Sequence, residues 1–187
     1  VTVASADITS QQTGAGESVL GDLVADSLRA AMNSDIAFIT TGSLRADIAK
    51  GNVTRGDLYS VQPFSSTVLS MTLTGDQVKS VLEQQWQAPL PPHNLAVSGL
   101  SYTFDDKKPA GSKITGILVN GVPLDPNAKY TAAMVDYLEN GGDRYTVFMN
   151  GTNVVNGPVD VDALVSYMGS LPKPVDVKAE KRITKVA

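Results

Sequence analysis

Cysteine is absent from the 187 residues, which excludes disulfides, thiolate nucleophiles and cysteine-based zinc sites within this chain. Histidine is nearly absent. The one imidazole, His93, lies in a proline-rich stretch, Leu90-Pro91-Pro92-His93-Asn94, and reads as a loop residue. A dinuclear phosphoesterase centre needs several His, Asp and Asn ligands converging on one point, which one histidine cannot build. Nor does His93 have the setting of a triad base. We therefore expect no catalytic residue, metal ligand or cofactor of the chain's own. A cationic excess is missing too. The formal net charge of -4 leaves no basic footprint for wrapping a nucleic acid, although one well-placed arginine could still bind a small charged ligand. No stretch approaches the roughly 20 apolar residues that cross a bilayer. Val1 to Ile8 lacks a basic n-region and an apolar h-region, as expected of an excised domain or a chain whose signal was removed.

What is present is an ordinary globular composition, 42% hydrophobic and 18% charged, with length enough for one domain, residues 1–187, of mixed secondary structure. Residues 1 to 8 alternate like a strand, and Gln11 to Gly16 is a loop. From Glu17, apolar positions at Val19, Leu20, Leu23, Val24, Leu28, Ala31 and Met32 mark a helix ended by Asn33 and Ser34. Glu17 and Asp22 fall in its first turn, where negative charge suits the dipole, and read as structural. Asp35 to Thr40 is a short apolar strand buried on both faces. Thr41 to Arg45 is a tight turn. Thr54 caps a short helix through Tyr59 with Asp57 at the capping-box position, and Thr74 caps another over Gly75 to Trp86. Strands are expected over Thr67–Leu73, Leu95–Phe104, Lys113–Val119, Tyr130–Asp136 and Ile183–Val186, with a hairpin turn at Asn120-Gly121. Leu138 to Arg144 is a glycine-rich loop, and Val161 to Met168 a helix. Ala88 to Asn94, with three prolines, is the best candidate for an internal hinge. Interspersed helices and strands with an antiparallel hairpin give a mixed α/β class of α+β flavour.

Four segments in order carry a resemblance: Gly16-Glu17-Ser18-Val19-Leu20-Gly21-Asp22-Leu23-Val24-Ala25-Asp26, Thr41-Gly42-Ser43-Leu44-Arg45, Gln62-Pro63-Phe64, and Asn140-Gly141-Gly142-Asp143-Arg144-Tyr145. Through most of its length the chain resembles the C-terminal domain of the 5'-nucleotidase, UDP-sugar hydrolase and 2',3'-cyclic-nucleotide phosphodiesterase family. The resemblance implies a division of labour. An N-terminal metallophosphoesterase domain of the same polypeptide, absent from this chain, would carry two divalent metal ions and the hydrolytic residues. The C-terminal domain would hold a nucleotide or nucleoside by its base and sugar. It also implies a periplasmic, secreted or cell-surface location.

The resemblance assigns the candidate site. Phe64, which reads equally as a core aromatic, becomes one of two base-stacking rings. Tyr137, six residues before Asp143, becomes the second, where its other reading is a surface prop for the glycine loop. A base between two rings gains roughly 1–3 kcal/mol per stacked face. Asp143 becomes the acceptor for sugar hydroxyls, a role compatible with an Asx turn that shapes the loop. Asn140, Gly141 and Gly142 permit positive φ and close approach of backbone to ligand. Gly42 and Arg45 lie where a strand exits into a loop, and the Arg45 fork suits a ribose edge, a carboxylate or a phosphate. Three positions depart from the family: Thr40 stands for Asn, Gly14 for a second arginine, and Arg144 for a glycine. They keep open a relative with a non-nucleotide substrate, of thiohydrolase type, and a surface binding module without catalysis.

Overall fold

The computed structural model describes residues 1–186. The chain opens with β1 (Thr2–Ala4), then enters α1 (Val19–Met32). Ser18 caps that helix by accepting from Gly21 N–H, and Asn33 closes it in the left-handed region at φ 48°. After β2 (Ile36–Thr40) come β3 (Gly51–Val53) and α2 (Arg55–Val61), capped reciprocally by Thr54 and Asp57. Then β4 (Thr67–Thr74) runs into α3 (Gly75–Glu83), where Thr74 and Gln77 form a second capping box. Helix α3 stops three residues short of the expected Trp86.

The expected strand Leu95–Phe104 is two strands, β5 (Leu95–Ser98) and β6 (Leu100–Phe104). Gly99 separates them at φ +72°, where a side-chain Cβ would come within 2.1 Å of the Asp35 carbonyl oxygen. The chain passes there from one sheet to another. Next follow β7 (Ile114–Val119) and β8 (Val122–Pro123), joined by Asn120 and Gly121 at φ 48° and 81°, as a type I′ hairpin requires. Strand β9 (Lys129–Val135) leads into a one-turn helix, α4 (Asp136–Glu139), and two 3₁₀ turns. The expected open loop over Leu138–Arg144 is thus largely helical turn. Last come β10 (Thr152–Val159), α5 (Asp160–Ser170) and β11 (Ile183–Lys185).

A mixed five-stranded sheet, ordered β10-β4-β9-β2-β5, forms the spine, and a four-stranded sheet, β11-β6-β7-β8, flanks it. Strand β2 runs parallel to β9, while β4 and β5 run antiparallel to their neighbours. Alternation along the central strands feeds two cores. Ala37, Ile39, Ala133 and Val135 face α1 and α5 on one side. Ile36, Phe38, Ala132 and Met134 face α3 and the second sheet on the other. The loop Ala88–Asn94 joins α3 to β5, and both pack into this second core.

The C-terminal segment is fastened through buried charge. Glu17 precedes the Ser18 cap rather than lying in the first helical turn, and its carboxylate accepts the Glu180 and Ile183 N–H groups at 3.0 and 3.2 Å. Arg182 binds Asp26 through both nitrogens at 2.8 and 2.9 Å and donates to the Val97 carbonyl oxygen at 2.8 Å. Asp22 is buried beside this cluster, 3.8 Å from the Arg182 Nε. Burial pushes its pKa up to about 8; Arg182 opposes the shift, and the neighbouring Glu17 and Asp26 add to it. Because the folded value lies above the ordinary carboxylate range, the folded chain retains a proton that the unfolded chain releases. Stability contributed by protonated Asp22 is present at acid pH and is lost as pH rises toward 8. Asp22→Asn should remove this component, worth up to about 1.4 kcal/mol per pH unit. Urea denaturation from pH 5 to 8 measures it; equal slopes for wild type and variant would refute the assignment.

Candidate functional site

The carboxyl ends of the two parallel strands β2 and β9 open into a cavity of about 440 Å³. Sites commonly form at such strand ends in α/β sheets. Ile39 and Val135 contribute apolar wall from the strands themselves. The turn after β2 supplies Gly42 and Ser43, the loop entering β4 supplies Gln62, Phe64 and Ser66, and the loop entering β5 supplies His93. Tyr137 and Asp143 come from the turns after β9, and Asp160 is the first residue of α5.

Two aromatic rings stand out because water reaches them. Phe64 is 61% exposed and Tyr137 46%, yet both border this cavity. The backbone at Ser65, just after Phe64, adopts φ 52°. Tyr137 is held from its tip. Its hydroxyl donates to Asp143 Oδ1 at 2.8 Å and accepts the Asp143 N–H at 3.2 Å. The bond to Asp143 raises the phenol pKa, with burial adding to it, so the hydroxyl stays a donor. His93 Nδ1 lies 3.8 Å from the same carboxylate oxygen. The His93 carbonyl oxygen accepts from the buried Tyr145 hydroxyl, which ties the proline-rich loop to the turn after Asp143.

The glycine segment works differently from its sequence expectation. Positive φ falls on Gly141 (79°), Asp143 (51°) and Arg144 (66°), whereas Gly142 has no such need. Gly142 is required for space: a Cβ there would lie 2.5 Å from the Tyr137 carbonyl oxygen and 2.6 Å from its ring carbons. The Tyr137 ring rests on that glycine. Gly142→Ala should displace both the Tyr137 backbone and its ring, the ring's share costing about 0.5–1.5 kcal/mol, and weaken ligand binding several-fold. Calorimetric titration beside a thermal melt checks this, and unchanged affinity would show that the ring position is immaterial.

Of the site residues expected from the sequence, Gly42, Phe64, Tyr137 and Asp143 share the cavity wall. Arg45, Asn140, Gly141 and Gly142 do not line it. Arg45 is exposed and donates to the Gly42 carbonyl oxygen at 3.4 Å, while the Asn140 amide donates to the Asp136 carbonyl oxygen at 2.8 Å. Arg144 is outside the wall, with a buried Nε that has no hydrogen-bond partner. Gly14 borders a separate groove beside Trp86 and Phe104. Thr40 is buried and shares a 2.7 Å hydrogen bond with Ser43. Gln62, Ser43, Ser66 and Asp160 join the wall without any functional expectation from the sequence, and so does His93, whose sequence setting marks only a loop. Gln62 and Ser43 fall within segments that carry the family resemblance, whereas nothing local marks Asp160.

The wall contains two carboxylates and an imidazole but no lysine or arginine among the described residues. Its chemistry suits a flat ring and hydroxyl groups better than a phosphate. Asp160 is buried, which raises its pKa against the bond it accepts from Val161 N–H at 2.7 Å. Among the described residues no group of three or more His, Cys, Asp or Glu side chains is placed to hold a metal ion. No described helix is long and apolar enough to cross a membrane.

The cleft at the parallel strand ends, with two solvent-facing rings and a carboxylate in its wall, belongs to a domain of mixed α/β architecture. The chain belongs to the 5'-nucleotidase family: the family model described as "5'-nucleotidase, C-terminal domain" matches residues 1–150. It is similar to the Endonuclease YhcR of Bacillus subtilis, at 31% identity over 96% of this chain and 15% of that protein. It is also similar to the Trifunctional nucleotide phosphoesterase protein YfkN of the same organism, at 31% identity over 91% of this chain and 12% of that one. Among solved structures, a 5'-nucleotidase precursor from Thermus thermophilus superposes with a TM-score of 0.90 at 32% identity, covering all of this chain and 39% of its own. A sulfate thiohydrolase from Thermus thermophilus shares the fold, with a TM-score of 0.79 at 22% identity over 99% of this chain and 34% of its own. The chain thus spans well under half the length of each.

Proposed function

We propose that this chain is the substrate-gripping domain of a two-domain, 5'-nucleotidase-type phosphoester hydrolase. Phe64 and Tyr137 sandwich the base, and Asp143 accepts from the ribose hydroxyls. Gly42 lets the ligand approach the β2 turn, and the Asn140-Gly141-Gly142 segment supports Tyr137 and Asp143 from behind. The phosphate points out of the cavity toward a metallophosphoesterase domain N-terminal on the same polypeptide. That domain supplies the two divalent metal ions and their Lewis acidity; this chain's own described residues offer no ligand set for them. The work done here is binding and orientation, which makes a reaction between positioned groups effectively unimolecular. On this reading the whole protein lies outside the cytoplasm, periplasmic, secreted or at the cell surface.

One observation carries the reading: two aromatic rings left 61% and 46% exposed border a single cavity of about 440 Å³. Exposed large apolar groups gathered around a concavity are the usual mark of a ligand site. The lack of a wall cation among the described residues supports it, because a domain that holds only the nucleoside moiety has no need of one. Saturation-transfer NMR with adenosine, uridine and ribose 5-phosphate tests it. Transfer to the base protons of either nucleoside, with none to the ribose phosphate and no AMP hydrolysis by this chain with Mn²⁺, is the expected result. Transfer to the ribose phosphate alone would favour a non-nucleotide substrate, and turnover by this chain would relocate the chemistry.

A further inference from the structure

We propose that Asp160 and Gln62 form the base-reading end of the cavity and select a nucleobase that presents an exocyclic amino group. The inference rests on the nucleoside reading above and adds to it a chemical preference.

The slot has two polar ends of opposite character. At one, the tip of the Tyr137 ring meets Asp143, with His93 at 3.8 Å from the carboxylate. Tyr137 and His93 are both partly open to water there. At the other lies Asp160, 3% exposed; Gln62, 2% exposed, also lines the cavity wall. Asp160 sits at the root of the two ring-bearing segments. Its N–H donates to the Ser66 carbonyl oxygen at 2.9 Å, two residues beyond Phe64. Asp136, immediately before Tyr137, accepts the next N–H, that of Thr67, at 3.3 Å. The buried end is therefore the backbone end of the clamp.

A stacked nucleoside also has two ends. Its ribose carries hydroxyls that belong near the wet Asp143 end, and its outer base edge then meets the buried end. Acceptors are in excess at that end. Gln62 Oε1 has no hydrogen-bond partner, a condition that buried polar atoms rarely tolerate. The Asp160 carboxylate accepts from Val161 N–H through Oδ1, the Ser66 and Asp160 backbone N–H groups also favour its charge, and it pairs with no cation among the described residues. Donors are what the site lacks, and an amino group brings two. A base with a carbonyl oxygen at that edge would set lone pair against lone pair. Gln62 can turn its amide to suit either edge; Asp160 cannot, so Asp160 decides.

Titration calorimetry of this chain with adenosine and with purine riboside, which is adenosine without its amino group, measures the preference. In mildly alkaline buffer, which favours the carboxylate, adenosine should bind about tenfold or more tightly, the range for a hydrogen bond to a charged group. In Asp160→Asn the Val161 N–H keeps holding Oδ1, so an amide NH₂ replaces the free acceptor. The ratio should then fall to about one. Equal affinities in the wild-type chain would overturn the proposal while leaving the clamp intact. An undiminished ratio in a folded Asp160→Asn chain would overturn the part played by Asp160. If neither nucleoside binds, the nucleoside reading fails and this inference falls with it.

Discussion

Arg182→Ala is expected to destabilise the chain by about 3–5 kcal/mol, the cost of removing one partner from a buried ionic cluster. Arg182 is 9% exposed, and its guanidinium faces Asp26, Asp22 and Glu180. Burial works against its charge, but the Asp26 hydrogen bond and the surrounding carboxylates outweigh it and raise its pKa. Without the guanidinium, the Asp26 carboxylate loses its cation beside buried, protonated Asp22, and the Val97 carbonyl oxygen loses a donor. Strand β11 follows immediately, so its parallel pairing with β6 should loosen first. Urea denaturation at neutral pH gives the magnitude. Adding Asp26→Asn should recover part of the loss, since it removes the stranded charge; that sign separates an ionic cause from lost packing alone. None of these residues borders the candidate cavity, so the folded fraction should bind ligand with unchanged affinity. A loss below about 1 kcal/mol would mean that water reaches the cluster and screens it.

That network illustrates what a linear reading can and cannot reach. Local rules sufficed wherever the controlling interaction spans a few residues. Thr54 with Asp57, Thr74 with Gln77, and Asn120-Gly121 all form the caps and the turn that their spacing implies. Strand β2 reads as buried on both faces because its apolar run has no polar phase. Gly99 escaped because a continuous strand pattern runs through it, and only the approach of the Asp35 carbonyl from elsewhere demands a glycine. Strand β10 escaped for the opposite reason. It is an exposed edge with Asn, Gly and Pro in its pattern, and it gains its structure from pairing with β4. In the cavity, Phe64 and Asp143 lie in segments with a family likeness, and Tyr137 is placed by its spacing of six residues before Asp143. Asp160 looks like an ordinary helix-opening aspartate until β10 delivers it beside Ser66. Glu17 and Asp22 likewise carry no local sign that they meet the far end of the chain.

Phe64→Ala should weaken nucleoside binding by about tenfold or more, as expected from roughly 1–3 kcal/mol for one base–aromatic face. The ring is suited to a clean test because so little of the fold depends on it. At 61% exposure it fills no core, so truncation should change the thermal midpoint little. Tyr137→Phe and Tyr137→Ala divide the second ring's contribution. The phenylalanine keeps the stacking face but frees Asp143 from the 2.8 Å hydroxyl bond, which should alter ribose recognition more than base affinity. The alanine removes both and should match or exceed the Phe64→Ala loss. Two rings acting on one base ought also to be coupled. In the double variant the losses should be less than additive, because a base that has lost one face is no longer held flat against the other. Strictly additive losses, or a Phe64→Ala chain that binds nucleosides like the wild type, would mean that the rings do not clamp a common ligand.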